Sequence, residues 1–367
     1  MFLLVVATAA VLAQQPAGVS PSPQQAEVPA AASTLSPSDI TALKSKADGG
    51  EVSAQLALAR AYEEGRGVQR NDDETALWYQ KAAAQGSAEG QNALGVMYRT
   101  GRGVEKNKEE AVKWFRKAAR QRFPAAMFNL GVCYYNGDGV GVNDSAAYAW
   151  FTLANENGSK PAEEAVRRSN SELKPGFVVD GFNLIAEMYL KGEELPRDDA
   201  EAAKWFWKSA NLGSLTAQVR IANMLINGQG VRQDYVEARS WCEKAAKGGS
   251  AVGEYCLGLI YQRGLGIQQD ARQAAKWYKQ ASEWGDGPAM KELAHMYATG
   301  EGGKVDRIDA FLLYARLAIK GDNDALREAA KLKNEMAEAE WKKTETRLRG
   351  MRVDLVRLNA ALQSVGP

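Results

Sequence analysis

Glycine recurs in this chain at a fixed interval. GRGV stands at 65–68 and again at 101–104, GDGV at 137–140, GQGV at 228–231 and GLGI at 264–267. The leading glycines are Gly65, Gly101, Gly137, Gly192, Gly228, Gly264 and Gly300, spaced 36, 36, 55, 36, 36 and 36 residues apart. A period of this length is the mark of stacked supersecondary units, none of which buries a core alone. Other residues keep the same register. Leu58, Leu94, Leu130, Ile185, Ile221, Leu257 and Leu293 stand seven before each leading glycine, and Tyr or Leu stands three before. Thirteen after stand Trp78, Trp114, Trp150, Trp205, Trp241, Trp277 and Leu313. Gly86, Gly158, Gly213, Gly249, Gly285 and Gly321 close six of the seven units.

Each unit reads as two helices. Residues 87–100 and 109–121 carry apolar side chains at a spacing near 3.6. The glycine pair between them allows positive φ, and the closing glycine ends the second helix. Small residues at Gly95, Gly131, Ala186, Ala222 and Gly258 let the two helices approach, and the tryptophan row buries the second helix against its neighbour. The expected fold is all-α: a right-handed α/α superhelix of about seven helix-turn-helix units.

Residues 90–119, GQNALGVMYRTGRGVEKNKEEAVKWFRKAA, resemble the Sel-one-like repeat (SLR) family, a relative of the tetratricopeptide family. The resemblance covers about 51–321. It implies a non-catalytic adaptor that assembles protein complexes, with no cofactor and no metal. Some cysteine-rich bacterial members carry one disulfide per repeat; the three cysteines here, Cys133, Cys242 and Cys256, do not form those regular pairs. Cys133 falls on a core position held by methionine elsewhere, and a Cys242–Cys256 bridge is one open arrangement.

Departures divide the array. The fourth unit has Glu194 where the second turn glycine belongs, and the seventh has Leu313 in place of tryptophan. Nineteen extra residues separate units three and four, with a helix expected over 161–172 and ending at Lys174-Pro175-Gly176. The expected organisation is a first block at 51–176 (three repeats and a capping helix), a second block of four repeats at 177–321, and a bend or break between them. Residues 38–50 are expected to form an N-terminal capping helix, capped by Ser38-Asp39. Residues 322–367 form a helical cap in which Leu348, Met351, Leu355, Leu358 and Leu362 make an apolar seam. That seam suits either packing on the last repeat or self-association through 348–362 as a short coiled coil.

The N-terminus adds a location. Residues 2–13 are an uncharged apolar run too short to span a bilayer, so 1–13 reads as a signal peptide and 14–37 as a Pro/Gln/Ala/Ser-rich linker. The chain is expected to be exported: periplasmic or secreted in a bacterium, or in the secretory pathway of a eukaryote. The mature chain would hold no membrane span.

Charge and composition exclude several chemistries. Forty-six Lys+Arg against 45 Asp+Glu give no basic excess for nucleic acid. One histidine, His295, cannot build a two-histidine metal site. Ser171-Glu-Leu-Lys174 matches a serine-lysine hydrolase pattern without its Lys-Thr-Gly partner. Binding is therefore sought on the face of the first helices turned away from the core, expected to be concave. That stripe is apolar in units three, five and six, and Phe128, Val132, Tyr135, Val219, Ile226, Tyr255 and Leu259 are the candidates for a groove that takes a protein or peptide. The competing reading is an envelope glycan- or peptidoglycan-binding protein or hydrolase-associated factor, with tyrosines stacking on sugars.

Overall fold

The computed structural model describes residues 35–351 and 355–364. Among the described residues there are nineteen helices and no strands. Seven helical hairpins carry the period. The first three are α2/α3 (Val52–Glu64, Asp72–Ala84), α4/α5 (Ala88–Thr100, Lys108–Arg120) and α6/α7 (Pro124–Asn136, Asp144–Glu156). The next four are α9/α10 (Pro175–Lys191, Asp199–Asn211), α11/α12 (Leu215–Asn227, Tyr235–Lys247), α13/α14 (Ala251–Arg263, Ala271–Glu283) and α15/α16 (Gly287–Thr299, Arg307–Ile319). They are preceded by α1 (Pro37–Asp48), interrupted by α8 (Lys160–Glu172), and followed by α17 (Asn323–Glu335), α18 (Glu338–Gly350) and α19 (Leu355–Ser364). The expected signal segment and most of the expected linker lie outside the described residues.

Local chemistry explains the repeat. Each first helix ends on a left-handed leading glycine, as at Gly101 with φ 78°. The second turn glycine is needed for space as well as for its φ. A Cβ at Gly103 would lie 2.0 Å from the Asp72 carbonyl oxygen of the preceding unit. Every second helix then opens on an Asn or Asp whose side chain accepts from its first-turn amides: Asn71, Asn107, Asn143, Asp198, Asp234, Asp270 and Asp306. Such a cap contributes about 1 kcal/mol. In the second unit, which lacks the closing glycine, Arg122 takes its place at φ 59°. Its guanidinium lies 5.6 Å from the Tyr189 ring centroid.

The core is built from the register. Trp78, Trp150, Trp205 and Trp241 are buried, and so are Tyr79, Phe115, Phe206 and Tyr278, each the aromatic that follows the tryptophan of its own unit. A Cβ at Gly131 would meet the Phe151 ring at 2.4 Å, and one at Gly258 would meet the Tyr278 ring at 2.4 Å, so glycine sets the helix spacing in these hairpins. A lysine three residues beyond four of the tryptophans lies over the ring: Lys81, Lys117, Lys208 and Lys244, at 3.6–3.9 Å from the centroid. Each such pair contributes about 0.5–1 kcal/mol at an exposed edge.

The insertion and the N-terminal end differ from the sequence reading. The N-terminal helix is capped by Ser36, not Ser38, through a capping box with Asp39 across Pro37. Pro175 does not end a helix. It opens α9, because a residue without an N–H suits the first helical turn, where that group has no intrahelical partner. The expected boundary at 176–177 thus falls in the first turn of α9. Helix α7 packs on both α8 and α9. One buried apolar cluster runs from Ala111 to Ile260, so the core passes the insertion without a break. The turn of the fourth unit is altered as expected: Glu194 has no left-handed φ, and its carboxylate pairs with Arg116 at 3.2 Å. Of the C-terminal seam, Leu348, Leu358 and Leu362 are buried in the same apolar cluster as the last repeat, while Met351 is exposed.

Candidate interaction surface

Successive first helices approach one another directly, α11 to α13 and α13 to α15, and no pair of second helices comes as close. Units five to seven therefore curve with their first helices inward. The outward residues of those helices line the concave side, as the helical phase requires.

The structure sorts the seven candidate residues. Tyr135 is exposed, with 38% of its surface accessible. Phe128, Val132, Ile226, Tyr255 and Leu259 are half-buried. Val219 is buried at 6% exposure and cannot serve as an open contact. Phe128 stacks on Phe151 with centroids 5.4 Å apart, and Tyr255 stacks on Tyr278 at 5.7 Å. Both occupy the same repeat position and lean on the aromatic of their own hairpin. Burial raises the pKa of the Tyr255 and Tyr278 hydroxyls, and the Glu292 carboxylate adds to both shifts, so both stay protonated.

Phe128 and Ile226 pack against one core cluster, and Tyr255 and Leu259 against another. Between the apolar positions of units three and five lie polar groups. Asn183 Nδ2 donates to Ser214 Oγ at 3.1 Å, and Glu187 pairs with Arg220 at 3.1 Å. On the other side of unit three, Asn129 Nδ2 donates to Asn92 Oδ1 at 2.9 Å. The surface is a series of small apolar patches, bounded by fixed polar pairs, with Tyr135 the most open member.

No reactive constellation accompanies these patches. Among the described residues no three His, Cys, Asp or Glu side chains gather as for a metal ion, and no helix is long and apolar enough to cross a membrane. His295 is exposed on the first helix of unit seven. Ser171 Oγ donates to the Arg168 carbonyl, an ordinary helical contact. Cys133 is buried and free, its thiol pushed up to about 11 by burial. Cys242 and Cys256 are joined, tying α12 to α13.

A further row is absent from the sequence reading. Gln55, Gln91 and Gln218 share one position near the start of their first helices. Each donates its side-chain amide to the carbonyl eight residues earlier, on Ala47, Ala83 and Ala210, at 3.1, 3.3 and 3.2 Å. Gln85 and Gln121 extend the row by donating to Gln55 and Gln91. The recurrence of Gln ten residues before a leading glycine was the available signal.

Seven copies of one family pattern fit the chain, at 52–87, 88–123, 124–159, 183–214, 215–250, 251–286 and 287–322; the pattern is the Sel1 repeat. The chain belongs to the Sel1 repeat family. Its seven repeats coincide with the seven hairpins, and α8 with the start of α9 falls between the third and fourth matches. Members of the family commonly act as protein-interaction scaffolds. Two solved Sel1 structures resemble the chain. A protective antigen of uropathogenic Escherichia coli strains displaying an SLR fold is 29% identical over 89% of this chain and 72% of its own, with a TM-score of 0.46. A Sel1 repeat protein from Oxalobacter formigenes is 28% identical over 80% of each chain, with a TM-score of 0.41. No curated protein matches the sequence significantly.

Proposed function

We propose that this Sel1 repeat protein is an exported, non-catalytic scaffold that holds a protein or peptide on its concave face, with Tyr135 and Val132 as the central contact. The observation that carries the reading is the exposure of Tyr135 beside half-buried Val132, on a face where the candidate aromatics Phe128 and Tyr255 are spent on stacking. Contiguous exposed apolar patches mark protein contact sites. Export is supported by the apolar run at 2–13 and by the Cys242–Cys256 bridge, since disulfides persist in oxidising compartments.

Substitution at Phe128 would test the fold, because its ring rests on Phe151. The discriminating variant is Tyr135→Ala with Val132→Ser. It should lose the partner captured by the tagged, exported chain while its melting temperature falls by no more than a few degrees. Capture unchanged in this variant would remove the patch from the binding surface. Retention on purified cell wall, unaffected by removal of wall proteins, would favour the glycan reading instead.

A further inference from the structure

The position held by glutamine in units one, two and five is apolar in units three, four and seven (Met127, Phe182, Met290) and acidic in the sixth. The acidic residue is Glu254, only 9% exposed. At the three glutamine joints the accepting carbonyl takes two donors. Ala47 takes Gly50 N–H and the Gln55 amide, Ala83 takes Gly86 N–H and the Gln91 amide, and Ala210 takes Gly213 N–H and the Gln218 amide. The corresponding carbonyl below Glu254 is that of Ala246, which takes main-chain N–H groups, Gly249 among them, and no side-chain donor. Glu254 Oε2 is buried and has no hydrogen-bond partner. A carboxylate has no proton to donate, so the ionised residue leaves both groups short of one bond, and that desolvation is unfavourable.

No cation compensates. On α14 the nearest acting charge is Glu283, of the same sign, while Arg272, Lys276 and Lys279 belong to the outer face, Lys276 and Lys279 exposed. On α12, Lys244 lies over Trp241, Arg239 pairs with Glu243, Glu237 accepts from Trp241, and Lys247 is exposed. On α11, Arg220 pairs with Glu187. On α15, Lys291 pairs with Asp324, Glu292 acts on the two tyrosines, and His295 is exposed; Asp286 caps the helix through Ala289.

We propose that Glu254 is a proton-operated fastener of the joint between the fifth and sixth units: on taking a proton from solvent, its O–H donates to the Ala246 carbonyl, as a glutamine amide does at the joints of Gln55, Gln91 and Gln218. Burial and Glu283 both raise its pKa above the ordinary carboxylate value. The folded chain therefore binds this proton more tightly than the unfolded chain. Stability from the group is fully present below the unfolded pKa and is lost as pH rises through the folded one. Acid tightens this joint, and Tyr255, the next residue, carries the effect to the concave face.

The test is amide exchange of α12 and α13 in the disulfide-intact chain at several pH values from about 4 to 8, corrected for intrinsic rates, with Glu254→Gln and Glu254→Ala beside the unmodified chain. The unmodified chain should open these helices at least about fivefold more readily than Glu254→Gln at neutral pH, and the two should converge near pH 4. Glu254→Ala should be flat with pH and open throughout. Equal protection of the unmodified chain and Glu254→Gln at neutral pH would overturn the proposal. So would a pH dependence that survives in Glu254→Gln.

Discussion

The third and seventh repeats are followed by the same device, put to different ends. Helices α8 and α17 are both 13 residues long, and each ends on an extended residue, Leu173 or Met336. Fifteen residues separate the start of α8 from that of α9, and fifteen separate the start of α17 from that of α18. Helix α9 packs on α7 as α18 packs on α16. Ten residues into each lies a buried branched side chain, Ile185 or Leu348. The fifth residue of the receiving helix is aromatic in both, Tyr148 or Phe311, and it meets Phe182 in one case and Trp341 in the other. The difference lies six residues in. Gly181 lets α9 lie close to Tyr148, where a Cβ would be 2.6 Å from the ring, whereas α18 has buried Thr344 there and packs less extensively. At the place of turn glycine Gly192, the second copy has Leu355. One copy therefore starts a new repeat. The other stops, and α19 folds back onto α17. A continuing repeat and a terminal cap are separated by two residues, one that sets helix distance and one that permits the turn.

This pairing makes α18 a repeat start that was never completed, and it is open to measurement. Removing residues 337–367 should have the largest effect. Leu348, Leu358 and Leu362 are lost, and their burial contributes roughly 5–9 kcal/mol. Amide exchange should show α15–α17 opening while α2–α7 stay protected; uniform destabilisation would contradict a nearest-neighbour array. Next come Ile185→Ala and Leu348→Ala, each expected to cost about 2–5 kcal/mol in denaturant unfolding. A cost at Leu348 below about 1 kcal/mol would show that α18 is not held as a repeat helix is. The smallest effects belong to the exchange at the sixth position. Gly181→Thr should destabilise by about 1–3 kcal/mol through overpacking on Tyr148. Thr344→Gly should cost about 1 kcal/mol, a few tenths from helix propensity and the rest from the buried methyl group it removes.

Much of this architecture is legible in the sequence, because each hairpin spends its invariant residues on backbone geometry and stacking. Gly101, Leu94 and Trp114 announce one unit, and six further copies remove ambiguity. What escaped has specific causes. Pro175 serves equally as a helix stop and as a first-turn residue, so the boundary there is undetermined until α9 is seen to continue. The 3-4 spacing of Leu348 to Leu362 is shared by a coiled-coil seam and by a repeat helix facing its neighbour. Val219 is placed on the open face by helical phase, yet it is buried. Glu254 was invisible because its meaning depends on what three glutamines do elsewhere.

The bridge between Cys242 and Cys256 gives the array a mechanical asymmetry. Under tension applied at its ends, an array of hairpins peels unit by unit and releases extended chain. The residues between these two cysteines cannot be paid out while the bond holds. With a sequence separation of 14 and a Cα–Cα distance of 6.0 Å, about 40 Å of contour is withheld, at roughly 3.3–3.6 Å per extended residue. Reduction returns that length, so the oxidation state of one bond sets how far this tether reaches before it is taut.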